Sequence, residues 1–291
     1  MINYIYAAFA IPAFFLFLGI EYIAAVKRNR TDIYRYEGSV SNLTIGIAER
    51  LLNLFVSLTF FELFKLVYER YAIFDIPNNW MVWVILILAT DLVWYWYHRL
   101  GHEVNILWAA HIVHHQSEEF NYTVSARITI IQALIRNVFW CLLPFVGFDP
   151  VMVMTTLVIH GAYSFFTHTQ LIKNLGFFEY VFVTPSIHGV HHASNEQYLN
   201  KNYGDLFVFW DKLFGTFAKE GEKPVYGLTH QLNSYSFLWQ HLHYYMEIIE
   251  ACRRVSRLKD RLTIIFGNPD RLDQSIRASV RRNFFLAGAL I

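Results

Sequence analysis

The chain has 291 residues, of which 55% are hydrophobic, 18% aromatic and only 16% charged, where a soluble domain carries about 25% charged residues. A formal net charge of +1 provides no field for nucleic acid, and the mean hydropathy of +0.29 leans towards a membrane. The two cysteines, Cys141 and Cys252, stand far apart in unlike surroundings, which argues against a disulfide framework and against a cysteine-based zinc site.

A bilayer core about 30 Å thick takes roughly 20 apolar residues of helix, and five stretches fit. Residues 4–26 come first; they lack a basic n-region, so a retained transmembrane helix is expected and not a cleaved signal peptide. Residues 45–67 follow, interrupted by Glu49, Arg50, Glu62 and Lys65. Residues 80–97 carry Trp80, Trp83, Trp94 and Trp96 near their ends, where aromatic belts sit. Residues 129–147 and 151–168 form a pair joined by "GFDP", with Pro150 placed to open the second helix. Lys27, Arg28, Arg30 and Arg35 put the first connection in the cytoplasm by the positive-inside rule. Counting forward, the end of the third helix and everything after about residue 170 share that side. The expected architecture is an all-α integral membrane protein of four to five transmembrane helices with a cytoplasmic, histidine-rich cap. Its parts are N-terminal membrane helices over 1–80, a central domain over 80–230 and a basic helical tail over 231–291.

Nine of the 13 histidines form a pattern. His98 and His102 are one helical turn apart, His111, His114 and His115 read HxxHH, and His188, His191 and His192 repeat it. His168 stands at the inner end of the fifth span. Residues at i, i+3 and i+4 share a helix face, and neutral imidazole is a common metal ligand. Nine imidazoles exceed what one ion takes, so the set suits two ions side by side. His160, His230, His241 and His243 fall outside the pattern; His160 reads as structural, and His241 with His243 as surface or interface residues.

Rival chemistries fit less well. A zinc protease needs HExxH, and "HEVNI" has Ile106 where the second histidine should be. A bis-histidine haem needs single axial histidines on facing helices; His160 and His168 leave that open as a non-enzymatic alternative. Soluble di-iron bundles use Glu-x-x-His sets, whereas carboxylates are scarce here. Glu103 adjoins His102, and Asp91 lies seven residues before His98, where a buried acid would orient a histidine by accepting its other N–H. Trp94, Tyr95 and Trp108 are candidate wall residues.

The order HxxxH, HxxHH, HxxHH on a membrane protein resembles the fatty acid hydroxylase/sterol desaturase superfamily. "DLVWYWYHRLGHEVNILWAAHIVHHQSEEFN", "THTQLIKNLGFFEYVFVTPSIHGVHHASNEQYLNKNYGD" and "VYGLTH" are most like its alkylglycerol monooxygenase branch. The resemblance implies that the nine histidines hold two irons, with zinc a substitute on purification. It implies O₂ and an external electron donor, protein or pterin, for which the branch suggests tetrahydrobiopterin. The substrate implied is a lipid hydroxylated at a C–H bond, an ether lipid in the alkylglycerol branch. A sterol, fatty-acid or carotenoid desaturase or hydroxylase is the alternative within the superfamily. Asn121 and Arg127 match the branch's pattern after the second box, and Arg127 is expected to meet a lipid phosphate or an acid such as Glu118, or else to serve as a plain positive-inside charge. Ser164 stands four before His168, where fatty acid 2-hydroxylases carry another histidine, leaving nine ligands instead of ten. Ile187 and Gly189 replace the branch's usual histidine and arginine in the third box.

Overall fold

The computed structural model describes residues 2–288. Twelve α-helices are found among them, and the extended pairing among them is limited to two isolated bridges, Phe182 with Phe207 and Ala193 with Tyr226. The first helices are α1 (Ile2–Lys27), α2 (Tyr36–Tyr71), α3 (Trp80–Glu103), α4 (Asn105–His115), α5 (Ile130–Trp140), α6 (Leu142–Val146) and α7 (Pro150–Thr167). After a long connection come α8 (Pro185–His191), α9 (Phe209–Leu213), α10 (Phe237–Arg253), α11 (Leu258–Phe266) and α12 (Gln274–Gly288). For the expected span over 4–26 and the tail over 231–291, the side chains up to residue 10 and the residues 289–291 lie outside the described set.

Helix starts follow their capping residues. Asn79 accepts from the Val82 amide to open α3, Asp149 accepts from Val151 and Met152 ahead of Pro150 in α7, and Thr184 caps α8 ahead of Pro185. Helices α3 and α7 are long and apolar enough to cross a membrane, and α2, bent by 44°, adds a third if its halves form one span. The stretch expected as a single span over 129–147 is instead broken at Cys141 into α5 and α6. Its 11-residue helix is only about 16 Å long. Leu86, Trp140, Met152 and Val153 pack between these helices, while Ile85, Val138, Val158 and Ile159 face outwards into the apolar belt a membrane covers.

The bundle has two distinct ends. At one, the Ile73 and Phe74 amides bond to Phe145 and Val146, and Gly147 adopts φ +126° where a side chain would strike the Phe74 carbonyl. At the other, Arg28 reaches the Leu171 carbonyl at 2.7 Å and α4 lies across the histidine-bearing end of α3. Helices α10 and α12 cover α4 through Ile112, Val113, Tyr244, Ile248, Ile276 and Val280. Asn105 fixes the junction: its amide and side-chain nitrogens reach the Gly267 and Ile264 carbonyls, and Tyr244 donates to its Oδ1 at 2.6 Å.

Candidate metal centre

Helical spacing aligns the rings within each box, and the packing of α3, α4, α7 and α8 brings the boxes together. His98, His102, His111, His115 and His191 gather in one group, His114, His168, His188 and His192 in another, the ligand atoms of each group lying within 4.8 Å of one another. His111 and His115 therefore serve one group and His114 the other, although all three sit on α4.

The second nitrogens decide which way several rings present their lone pairs. His98 Nδ1 donates to the Tyr203 carbonyl at 2.9 Å, His191 Nδ1 to Lys201 at 2.9 Å and His168 Nδ1 to Ser164 at 2.7 Å. A carbonyl only accepts, so in the neutral rings Nε2 is left as a bare lone pair pointing inwards. His111 Nδ1 lies 2.9 Å from the Gln132 amide, whose Oε1 has no partner of its own. Turning that amide over, a choice set by the hydrogen-bond network, lets His111 Nδ1–H donate and fixes the same tautomer.

Those lone pairs then face one another. His98 Nε2 is 3.1 Å from His111 Nε2, which is 3.1 Å from His115 Nε2; His168 Nε2 is 3.1 Å from His188 Nε2 and 3.3 Å from His114 Nε2. Such separations are the edges of a coordination shell with metal–nitrogen bonds of about 2.0–2.1 Å. His102, His191 and His192 keep buried Nε2 atoms without a partner, and buried polar groups normally have one. The residues fit metal: an ion in each group would satisfy the orphaned nitrogens and relieve the facing lone pairs. Burial holds His111, His114, His115, His188 and His192 well below the ordinary histidine range and pushes His168 and His191 down to about 4, with neighbouring imidazoles adding to most of these shifts. The rings are thus neutral at physiological pH, the form that binds metal.

The other sequence candidates fall in different places. Asp91 does not orient a histidine of either group. It accepts from the Leu206 and Phe207 amides and from Trp210 Nε1, 3.8 Å from His160 Nδ1. His160 donates to Asp205 at 2.9 Å, so it is paired with a carboxylate and not poised as a haem ligand. This buried trio clamps the loop whose Tyr203 and Lys201 carbonyls hold His98 and His191, a role visible only once the loop is folded. Ser164 takes part through its backbone carbonyl, not its side chain. Glu103 pairs with Arg99 at 2.9 Å, and Asn121 donates to the Ile33 carbonyl while accepting from Thr123.

Arg127 is buried and meets neither a lipid surface nor Glu118, which pairs with Arg35. Its guanidinium bonds to the Val113 carbonyl, Asn42, Gln116 and Gln240, so three elements distant in sequence bury it. His243, expected at the surface or an interface, is likewise buried, because α10 turns that face onto the cavity described next. Gly189 faces Tyr226, whose hydroxyl would lie 3.1 Å from an added Cβ, so no arginine fits there without displacement. Gln132 of α5, which meets His111, was not singled out by the sequence, since α5 also carries Arg136 and Asn137.

A cavity of about 450 Å³ opens beside the rings. His102, His115 and His191 from one group and His192 from the other line it, so both groups border the same space. Trp108 forms part of the wall, while Trp94 stacks on Trp140 and Tyr95 bonds to Thr216 away from it.

An apolar helical bundle enclosing nine histidines in two adjoining groups defines a class: membrane proteins whose interior can hold metal ions between transmembrane helices and a polar cap. Residues 83–216 match the fatty acid hydroxylase family. The chain is 32% identical to alkylglycerol monooxygenase of Homo sapiens over 91% of its own length and 59% of that protein's. It is 29% identical to the Danio rerio alkylglycerol monooxygenase over 89% of this chain and 58% of the other. To ornithine lipid hydroxylase OlsE of Rhizobium tropici it is 28% identical over 48% of this chain and 44% of the other. The chain thus spans less than two thirds of these relatives' length. No solved structure matches it significantly.

Proposed function

We propose that this protein is an integral-membrane di-iron monooxygenase that hydroxylates a C–H bond of a lipid, with an ether lipid such as an alkylglycerol as the leading substrate class. The observation that carries the reading is the convergence of nine histidines, eight of them buried and His102 half-buried, into groups of five and four that share one cavity. The names of the relatives, alkylglycerol monooxygenase and ornithine lipid hydroxylase, supply the lipid and the oxygen chemistry.

Two irons, when bound, supply the activation of O₂ with electrons from an external donor, a partner protein or tetrahydrobiopterin. The chain's own residues do the rest. His98, His102, His111, His115 and His191 hold one ion and His114, His168, His188 and His192 the other. Tyr203, Lys201, Ser164 and Gln132 fix ring orientation from behind. Trp108 and Ile112 line an apolar approach and exclude water from the reacting carbon. The histidine end of the bundle faces the cytoplasm, because Lys27, Arg28 and Arg30 flank the same end.

The test is elemental analysis and an optical scan of detergent-purified wild type and His191→Ala. About two ions per chain in wild type, fewer in the variant and no Soret band are expected. A haem, or no metal in either protein, overturns the reading.

A further inference from the structure

Helix α10 is amphipathic the wrong way round for a helix that meets water. Its buried face carries Gln240, His243 and Glu247, while Leu238, Leu242 and Ile249 are 59%, 40% and 51% exposed. With the half-buried Tyr245 these apolar residues fall at i, i+4, i+7 and i+11, one continuous stripe along the helix. Helix α11 repeats the arrangement: none of its residues is buried, and Leu258, Leu262 and Phe266 stand exposed at i, i+4 and i+8. Single exposed apolar side chains are ordinary on a protein surface, but aligned rows of them mark an interaction face. Helix α12, packed on the same α10, shows the contrast, exposing Ser275, Arg281, Arg282 and Asn283 ahead of its last turn.

The α10 stripe lies at the level where the spans end. Gln240 Nε2 donates to Ser41 Oγ at 3.0 Å, five residues inside α2, and Tyr245 is within electrostatic reach of Tyr97, six residues before the end of α3. Both attachments fall about 8–9 Å inside a helix end, so α10 crosses the bundle where the apolar belt gives way to headgroups. The chain from there through α11 holds Arg253, Arg254, Arg257, Lys259 and Arg261 against a single acid, Asp260. An apolar stripe beside a basic run is the pattern of a helix lying in the plane of an anionic leaflet. A second copy of this chain docked stripe to stripe would instead bring like charges together.

We propose that α10 and α11 form an interfacial element, their apolar stripes seated at the acyl boundary of the leaflet nearest the histidines and their basic run on its anionic headgroups. The inference rests on the reading of the chain as an integral membrane protein and not on its metals. It gives α10 different neighbours on its two sides, since Trp239, His243 and Tyr244 on the inner face line the cavity. One helix, about 10–12 Å across, then parts the leaflet from the space beside the histidines.

The test reads the surroundings of spin labels in the full chain, reconstituted in nanodiscs of phosphatidylcholine and phosphatidylserine. In a Cys141→Ser, Cys252→Ser background, single labels are attached through Leu242→Cys, Ile249→Cys, Arg282→Cys and, on the outward face of α7, Ile159→Cys. The ratio of relaxation by dissolved oxygen to relaxation by a water-soluble nickel chelate should lie above unity at 242, 249 and 159 and below unity at 282. Leu238→Cys replaces either stripe position if its label disturbs folding. A water-like ratio at 242 and 249 beside a lipid-like one at 159 overturns the proposal alone, whereas a water-like ratio at 159 sinks the membrane reading itself. Stripe labels shielded from both reagents would mean that protein covers the stripe, and would overturn the proposal too. Wild type should also hold spin-labelled phosphatidylserine about fivefold more tightly than phosphatidylcholine, and Arg253→Gln, Arg257→Gln and Lys259→Gln together should lower that preference at least about twofold. An undiminished preference in the triple variant would remove the basic run from the contact and overturn the proposal as stated.

Discussion

The two histidine groups are built from the same residue type but not to the same standard. In the group of five, His98, His111 and His191 each have their second nitrogen held, two of them by carbonyls of the single loop around residues 201–203. In the group of four, only His168 is so held, and the buried Nδ1 atoms of His114 and His188 have no partner. Three of the five rings in the first group are therefore oriented before any ion arrives, against one of four in the second. Preorganisation is worth about 10–100-fold in metal affinity per supporting residue, so the larger group should be the tighter site.

The strongest way to break this contrast is to remove a ring from each side. His191→Ala and His114→Ala should each lose one ion and cut activity at least about 100-fold, measured by elemental analysis beside turnover. If His114→Ala lost no metal while His191→Ala lost both ions, the division into five and four would be wrong. A chelator titration of wild type sharpens the point. Metal should leave in two phases, the first from the group of four, as read by the ion remaining in His191→Ala and His114→Ala. A single phase would place the two sites on equal footing. Gln132→Leu, which removes the support behind His111, should weaken the tighter site about tenfold without changing the other.

Acid acts on both groups. His168 and His191 are pushed down to about 4 by burial, whereas unfolded histidine titrates near 6.5. Between those values the unfolded chain binds more protons, so stability of the metal-free protein is intact above about pH 6.5 and falls as the pH drops towards about 4. Thermal melts across that window should show a falling midpoint, and a flat profile would contradict the neutral, buried rings. The smallest effect is expected from His241→Ala. That ring bonds only to the Phe237 carbonyl of its own helix and should leave metal content unaltered within error. Loss of metal there would overturn the ligand assignment.

The grouping of the histidines was legible because HxxHH and HxxxH encode a helix face, and a face needs no tertiary information. What holds the rings was not. Tyr203 and Lys201 act through carbonyls, which every residue has, and Ser164 does the same where a side-chain ligand was sought. Asp91 was recognised as an unusual acid, but its partners come from a loop more than a hundred residues away. The break at Cys141 was not read because the apolar residues of 129–147 outweigh Gln132, Arg136 and Asn137, and Pro144 lies past the break itself. Arg127 was expected at a lipid phosphate or Glu118 and His243 at the surface or an interface, because a charged or polar residue in isolation is usually near solvent. Each is buried by elements that only the folded chain brings together.

The guanidinium of Arg127 has a consequence of its own. Every acceptor its guanidinium bonds to is neutral, and the acid whose field acts on its charge is Glu119. Burial brings it down to about 9, which leaves it cationic at neutral pH, close enough to His114 to disfavour protonation there. A fixed positive charge in a medium of low dielectric stabilises the less positive oxidation state of any ion beside it. If the histidine groups hold ions as proposed, Arg127 behind α4 would bias them towards the reduced form without being a ligand itself.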